Sequence, residues 1–247
     1  MSRDSEGFIG KSAIVTGAGR GIGRAISVAL HQNGANVIAV SRTKEHLDSL
    51  VAEHAGIVPL AVDVTNLNDL RRVLQPYLPA HFLVNNAGTN VPEPFLEITP
   101  ESYSTILDVN LKAPLFLSQM FAESAIKHRL DGCAVVHISS QAAVSPLPNH
   151  TCYMASKAAL DSLVRSMSSE LGSYGIRVNS VQPTVVMTEL GKRDWPASKA
   201  KPLLDRMPLG KFAEVENIVD AVLFLLSSKA SMITAATLPV DGGYTAM

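Results

Sequence analysis

Short apolar runs, rich in β-branched residues, recur along the chain and end at glycine or at polar residues. The runs cover residues 12–16, 36–40, 57–62, 82–84, 133–138, 176–181 and 235–240. Apolar runs of this length between turn residues are typical of buried strands. The pattern therefore predicts seven strands.

Apolar residues at helical spacing separate these runs. Leu160, Val164, Met167 and Leu171 are one example, and residues 214–226 are another. Strands that alternate with helices predict a doubly wound parallel sheet. We therefore expect an α/β fold: one Rossmann-like domain over residues 1–247, with seven parallel strands and helices on both faces. One segment, at about residues 188–210, shows no regular pattern and is predicted to be a long irregular loop. A loop of this length in a compact domain predicts a substrate lid.

Composition narrows the class of protein. Apolar residues make up 47% of the chain, charged residues 17%, and the net charge is −1. This composition is suited to a globular core and provides no field that would attract nucleic acid or an anionic membrane. The two cysteines give no disulfide framework, and the most apolar segment, 222–226, is too short to span a bilayer. We expect a cytoplasmic protein without a metal, a nucleic-acid partner or an integral membrane segment.

A glycine-rich turn follows the first predicted strand and precedes a helix. Its sequence, TGAGRGIG at residues 16–23, places Gly17, Gly21 and Gly23 at G-x-x-x-G-x-G spacing. Glycines allow a backbone to approach a pyrophosphate closely, and a helix N-terminus attracts its charge. The turn predicts a dinucleotide site, although a purely structural turn is the alternative.

The end of the second predicted strand carries Ser41 and Arg42 where folds that prefer NAD usually carry an acid. A hydroxyl and a guanidinium, together with Arg20, are suited to a 2′-phosphate and hence to NADP(H). Alternatively, Ser41 or Thr43 caps the next helix while Arg42 is solvated. Asp63, after the third strand, is either a helix cap or an adenine contact.

Tyr153 and Lys157 lie four residues apart at the start of a predicted helix, so that their side chains share one face. A free phenol titrates near pH 10, and a neighbouring cation lowers its pKa, which would suit Tyr153 to proton transfer. The alternative is a half-buried tyrosine beside a solvated lysine.

Earlier in the chain, Pro114 frees the carbonyl of Asn110, which either holds a water or marks a simple kink.

These motifs, with NNAG at residues 85–88, Ser140 and Pro183, resemble the short-chain dehydrogenase/reductase family over essentially the whole chain. The segments AVSRT (39–43), PTVVMT (183–188) and PLGKFAEVE (208–216) resemble the branch that reduces L-xylulose and small α-dicarbonyls. Thr184 replaces the glycine common elsewhere in the family, as it does in that branch. The resemblance implies NADPH-dependent reduction of a small carbonyl substrate by a homotetramer.

The resemblance also implies roles for individual residues. Tyr153 would be the general acid, Ser140 would bind the substrate carbonyl, Lys157 would bind ribose and lower the tyrosine pKa, and Asn110 would hold a relay water. His150 and Trp195 would contact the sugar. The NADP(H) contacts would be Gly17, Gly19, Arg20, Gly21, Ile22, Gly23, Ser41, Arg42, Thr43, Asp63, Val64, Asn86, Ala87, Gly88, Tyr153, Lys157, Pro183, Val186 and Thr188.

Two alternatives stay open at this stage. The first is another short-chain reductase, acting on 3-oxoacyl thioesters or other alcohols. The second is an NADP-binding interaction module with little turnover. Such a module could dispense with the acid, the carbonyl donor and the relay, all of which this sequence carries.

Overall fold

A computed structural model describes residues 7–189, 191 and 197–246, and within them a single seven-stranded sheet. The strands are β1 (Ser12–Thr16), β2 (Asn36–Ser41), β3 (Val58–Ala61), β4 (Phe82–Asn85), β5 (Ala134–Ile138), β6 (Arg177–Pro183) and β7 (Thr237–Val240). All neighbouring strands pair in parallel, in the order β3-β2-β1-β4-β5-β6-β7. The predicted doubly wound fold is confirmed. The order reverses between β1 and β4, which is where such sheets bind ligands.

Helices cover both faces of the sheet. They are α1 (Gly21–Gln32), α2 (Lys44–Glu53), α3 (Leu67–Leu74), α4 (Pro100–Leu107), α5 (Ala113–Lys127), α6 (Thr151–Leu171), α7 (Ala197–Leu204) and α8 (Val215–Leu226). Because strand side chains alternate, Val15 packs in the core beneath α1 and α8, whereas Ile14 packs beneath α5 and α6. None of these described helices is long and apolar enough to cross a membrane.

Helices α4 and α5 are joined by a π-helical turn, Asp108–Lys112. Thr99 caps the start of α4 by accepting a hydrogen bond from the Ser102 amide, and Pro100 follows it, as the sequence predicts. At the other end of the turn, the Ala113 N–H bonds to the carbonyl of Asp108, five residues back. Pro114 has no N–H with which to restore the α-helical pattern. The wider turn holds Asn110 in the protein interior.

The segment predicted to be an irregular loop contains a helix, so that prediction was wrong in part. Three prolines obscured α7 in the sequence, and one of them, Pro202, lies inside it. The helix is stabilised by its own small apolar cluster rather than by the main core. The buried members of that cluster are Ala200, Leu203, Met207, Phe212 and Tyr244.

Candidate active site

The first two turns of α6 bring Tyr153 and Lys157 to the carboxyl edge of β5. The Lys157 Nζ lies 5.7 Å from the centre of the Tyr153 ring and donates a hydrogen bond of 2.8 Å to the carbonyl of Ile138. Only 4% of Lys157 is exposed. The alternative of a solvated lysine is therefore wrong. Ile138 was not predicted as a partner, because main-chain acceptors leave no mark on a sequence.

Ser140 follows β5 directly and begins a short 3₁₀ turn. Its Oγ accepts a hydrogen bond of 3.1 Å from the Ala142 amide. That contact uses the oxygen and leaves the hydroxyl proton available for donation. The Ser140 side chain is also close enough to the phenol of Tyr153 to lower the pKa of that phenol by hydrogen bonding. The resemblance implied Ser140 as the residue that binds the substrate carbonyl, and its position beside Tyr153 is consistent with that role.

The ionisation of the tyrosine and the lysine is governed by their burial. Burial raises the pKa of Tyr153, and the hydrogen bond with Ser140 lowers it by a smaller amount. The sequence had predicted a lowered tyrosine pKa, and in this structure the cost of desolvation exceeds the favourable effects. Burial also lowers the pKa of Lys157 to about 8, although the charge of Asp161 opposes that shift.

Asn110 links the loop after β4 to α6. Its Oδ1 accepts from the Thr89 amide at 2.8 Å, and its Nδ2 donates to the Thr89 carbonyl at 2.9 Å and to Ser156 Oγ at 3.0 Å. A Cβ atom added to Gly88 would lie 3.5 Å from Asn110 Oδ1 and 3.6 Å from Lys157 Nζ. Asn110 and Lys157 therefore border the same glycine, as expected for two residues of one site.

The glycine turn has the shape of a phosphate cradle. Gly17 and Gly21 have positive φ angles of 64° and 54°, which side-chain-bearing residues rarely adopt. A Cβ at Gly23 would collide with the carbonyl of Gly17. Asn86 braces the turn, since its Nδ2 donates to the carbonyls of Thr16 and Gly17 at 2.9 and 3.3 Å. Helix α1 then begins at Gly21 with no acid in its first turn, so its N-terminus is suited to an anion.

The hydroxyl of Thr16 was overlooked in the sequence. It accepts hydrogen bonds of 3.0 Å from the amides of both Asn86 and Ala87. It thereby joins the ends of β1 and β4 at the point where the strand order reverses. A threonine at the carboxyl end of a buried strand was the available signal.

The predicted 2′-phosphate residues lie beside the glycine turn. A Cβ at Gly19 would lie 2.9 Å from Ser41 Oγ, and both Arg20 and Arg42 are exposed. Thr43 precedes α2, but its side chain forms no capping hydrogen bond, which does not support the capping alternative.

Asp63 does not cap a helix. Its Oδ1 accepts from the amide and the hydroxyl of Thr65 at 2.9 and 2.7 Å, whereas Asn66 caps α3. Of the two alternatives for Asp63, the adenine contact therefore remains as a prediction, together with its buried neighbour Val64.

The segment after β6 reaches back over the glycine turn. Its Pro183 ends β6, Val186 forms an isolated parallel bridge to Ala213, and the Thr188 methyl lies 3.4 Å from the Cβ position of Gly21. The predicted contacts from 183 to 188 are thus placed on the same edge of the sheet as the turn.

Of the two predicted sugar contacts, His150 and Trp195, the structure describes His150. Its ring lies edge-on to that of Tyr153, with the ring centres 6.3 Å apart, and its Nδ1 lies 2.6 Å from the Pro148 carbonyl. The other, Trp195, lies outside the described residues.

Several known proteins resemble this chain. A family model described as enoyl-(acyl carrier protein) reductase matches residues 17–245. With the parallel sheet, the glycine turn and the Tyr153–Lys157 pair, this defines the class: the chain belongs to the short-chain dehydrogenase/reductase family of oxidoreductases.

Individual relatives are more informative. The chain is 50% identical over 241 residues to L-xylulose reductase of Mus musculus, covering 97% of this chain and 98% of that protein. It is 46% identical over 238 residues to D-erythrulose reductase of Gallus gallus, covering 96% of each. The chain also resembles a solved structure from Beutenbergia cavernae, a candidate NAD(P)-dependent gluconate 5-dehydrogenase with NADP bound at low occupancy. The TM-score is 0.90 at 32% identity, and the match covers 98% of this chain and 99% of that one. The predicted resemblance is confirmed.

Proposed function

We propose that this chain catalyses the NADPH-dependent reduction of small ketoses and α-dicarbonyls, with L-xylulose to xylitol as the leading reaction. The observation that carries the proposal is the pairing of Ser140 with Tyr153 beside a buried Lys157, in a chain half identical to an L-xylulose reductase. The reductase relatives, together with this complete set of groups, weigh against a protein that only binds NADP.

Tyr153 supplies the proton in this mechanism. Its raised pKa keeps the phenol protonated at neutral pH, which is the form a general acid requires. A carbonyl oxygen bound between the hydroxyls of Tyr153 and Ser140 is polarised by two donors. As negative charge develops on that oxygen, Tyr153 transfers its proton and Ser140 remains as a fixed hydrogen-bond donor.

Lys157 and Asn110 support this transfer. A pKa near 8 leaves the lysine mostly charged at pH 7, and its bond to the Ile138 carbonyl fixes the amino group near the phenol ring. The cation favours the phenolate left after proton transfer. We further propose that the main chain of Asn110, in the π-helical turn, holds a water that returns a proton to the site.

The described residues fit NADP(H). Gly17, Gly21 and Gly23, with the N-terminus of α1, would hold the pyrophosphate, and Ser41 and Arg42 would hold the 2′-phosphate. The other residues predicted to contact NADP(H), from Gly19 to Thr188, would complete the site. When bound, the nicotinamide supplies the hydride for the carbonyl carbon.

The substrate class rests on His150 and on the relatives. The Mus musculus and Gallus gallus enzymes are named for ketoses of different length, which share a carbonyl next to a hydroxyl-bearing carbon. An imidazole beside the acid could hydrogen-bond such a hydroxyl. Trp195 is proposed to contact the same sugar.

We also propose a cytoplasmic homotetramer. Partly exposed apolar side chains on α4 and α5, among them Tyr103, Leu115 and Phe116, would be covered by neighbouring copies. Both cysteines are free and buried, which suits a reducing compartment.

The test is a substrate panel with purified protein. NADPH oxidation is followed with L-xylulose, diacetyl and an acetoacetyl thioester, and the series is repeated with NADH. Turnover of the first two with a preference for NADPH supports the proposal. Turnover of the thioester alone would contradict it in favour of an acyl-thioester reductase, the candidate to which the description of the matching family model points.

A further inference from the structure

A second charged residue is buried on α6, one turn beyond Lys157. Asp161 is 5% exposed, and residues four apart on a helix lie on the same face. A buried carboxylate is costly unless hydrogen bonds or an opposite charge compensate it. The structure must therefore stabilise this group, and the way in which it does so indicates its role.

Two side chains of β6 hold the carboxylate in place. Ser180 Oγ donates to Asp161 Oδ1 at 2.8 Å, and Gln182 Nε2 donates to Oδ2 at 2.7 Å. Ser180 is fully buried and Gln182 is 3% exposed. Both partners are neutral, so they orient the carboxylate without neutralising it.

Lys157, one turn earlier on the same face of α6, carries the opposite charge. Its amino group is also buried, and Asp161 is the one residue whose charge raises the lysine pKa appreciably. The other titratable groups that face Lys157 are Tyr153 from α6 itself and His137 from β5, and the latter is neutral because burial lowers its pKa to about 3. The adjoining π-helical turn contributes the uncharged Asn110.

We propose that Asp161 is a positioning residue for Lys157: a carboxylate fixed by Ser180 and Gln182 that keeps the buried amino group charged beneath the catalytic tyrosine. This inference deepens the proposed function and rests on it for its catalytic consequence. The effect of Asp161 on the charge of Lys157 is a property of the protein alone, and it can be tested without substrate or cofactor.

The direct test measures the titration of Lys157 without turnover. The protein is labelled with ¹³C at lysine Cε, and the Lys157 signal is followed by NMR against pH in wild type and in Asp161→Asn. We expect a midpoint near pH 8 in wild type and a midpoint about one unit lower in the variant, since a nearby opposite charge shifts a pKa by about 1–3 units. An unchanged midpoint would overturn the proposal.

Three further variants make the result specific. Asp161→Glu keeps the negative charge, so the Lys157 midpoint should return most of the way to its wild-type value. Asp241→Asn removes an equally buried carboxylate, bound to Gly243 and Thr245 after β7, and should leave it unchanged. If Asp161→Asn does not fold, Asp161→Ser also removes the charge while leaving a hydroxyl for Ser180 and Gln182 to bond, and it should lower the midpoint by a similar amount. A midpoint that Asp161→Ser leaves unchanged would then overturn the proposal.

The pH dependence of reduction separates charge from a merely structural role. A midpoint one unit lower reduces the charged fraction of Lys157 at pH 8 about fivefold but changes it little at pH 6. Asp161→Asn should therefore lose about fivefold in kcat at pH 8 and recover at pH 6, with KM for the carbonyl substrate little altered. A loss of equal size at both pH values would contradict the proposal. Wild-type protein without reductase activity would refute the proposed function, while the NMR titration would still decide the role of Asp161.

Discussion

His137 provides a quantitative test of how the buried polar groups beneath the site affect stability. Its side chain is fully buried on β5, and its Nδ1 lies 3.3 Å from Asn85 Nδ2, which also donates to Ser118 Oγ. An amide nitrogen only donates, so Nδ1 must be the unprotonated nitrogen and the proton sits on Nε2. Nε2 has no hydrogen-bond partner among the described residues. The native state therefore holds this histidine neutral.

The consequence is a loss of stability in acid. Burial, with a smaller effect of the Lys157 charge, lowers the pKa of His137 from 6.5 to about 3. Between these values the unfolded chain binds one more proton than the native protein, so stability is complete above pH 6.5 and falls as the pH falls. Integration between pH 7.5 and pH 5 gives a loss of about 2 kcal/mol from this residue.

His137→Gln removes the titrating group while keeping a polar side chain of similar length. The free energy of unfolding is measured by urea titration for both proteins at pH 5 and at pH 7.5, at one fixed protein concentration. The change between the two pH values is then compared between wild type and variant. His81, whose pKa is also lowered by burial, is present in both proteins and cancels in the comparison. Wild type should lose about 2 kcal/mol more than the variant between the two pH values. Equal losses would refute the assignment of a buried, neutral histidine.

Two further predictions concern the cofactor site. Arg42→Asp should reduce the preference for NADPH over NADH, measured as the ratio of kcat/KM values, about tenfold or more, because it replaces a charge-assisted contact by repulsion; an unchanged ratio would contradict the 2′-phosphate assignment. Gly23→Ala should abolish NADPH binding, measured by fluorescence titration, because the added Cβ meets the Gly17 carbonyl, whereas Gly172→Ala, with open space around it and no positive φ, should bind normally. Normal binding by Gly23→Ala would contradict the phosphate cradle.

The sheet was predictable because its signals are local. Each apolar run corresponds to a strand within a few residues, and β1 agrees at both ends. Helix α7 was not predictable in this way. Its Ala200 and Leu203 belong to an apolar cluster with Met207, Phe212 and Tyr244, all outside the helix, and this packing outweighs the unfavourable Pro202.

The motif residues of the site were predictable, but the environment that tunes them was not. The spacing of Tyr153 and Lys157 placed both on one helix face, and the structure confirms their proximity. The direction of the tyrosine pKa shift was wrong, because it depends on the extent of burial, which spacing does not reveal. Asp161 and His137 were missed as well, although a polar residue within a buried segment is a visible signal.

The most direct test of the central claim is single-turnover reduction by Tyr153→Phe. The ring that packs near Lys157 remains, and only the proton donor is lost. We expect NADPH to bind as it does to wild type, while the rate of L-xylulose reduction falls by about 10²–10⁴-fold. A variant that binds NADPH and reduces L-xylulose within tenfold of the wild-type rate, about 1.4 kcal/mol in barrier height, would show that Tyr153 is not the general acid.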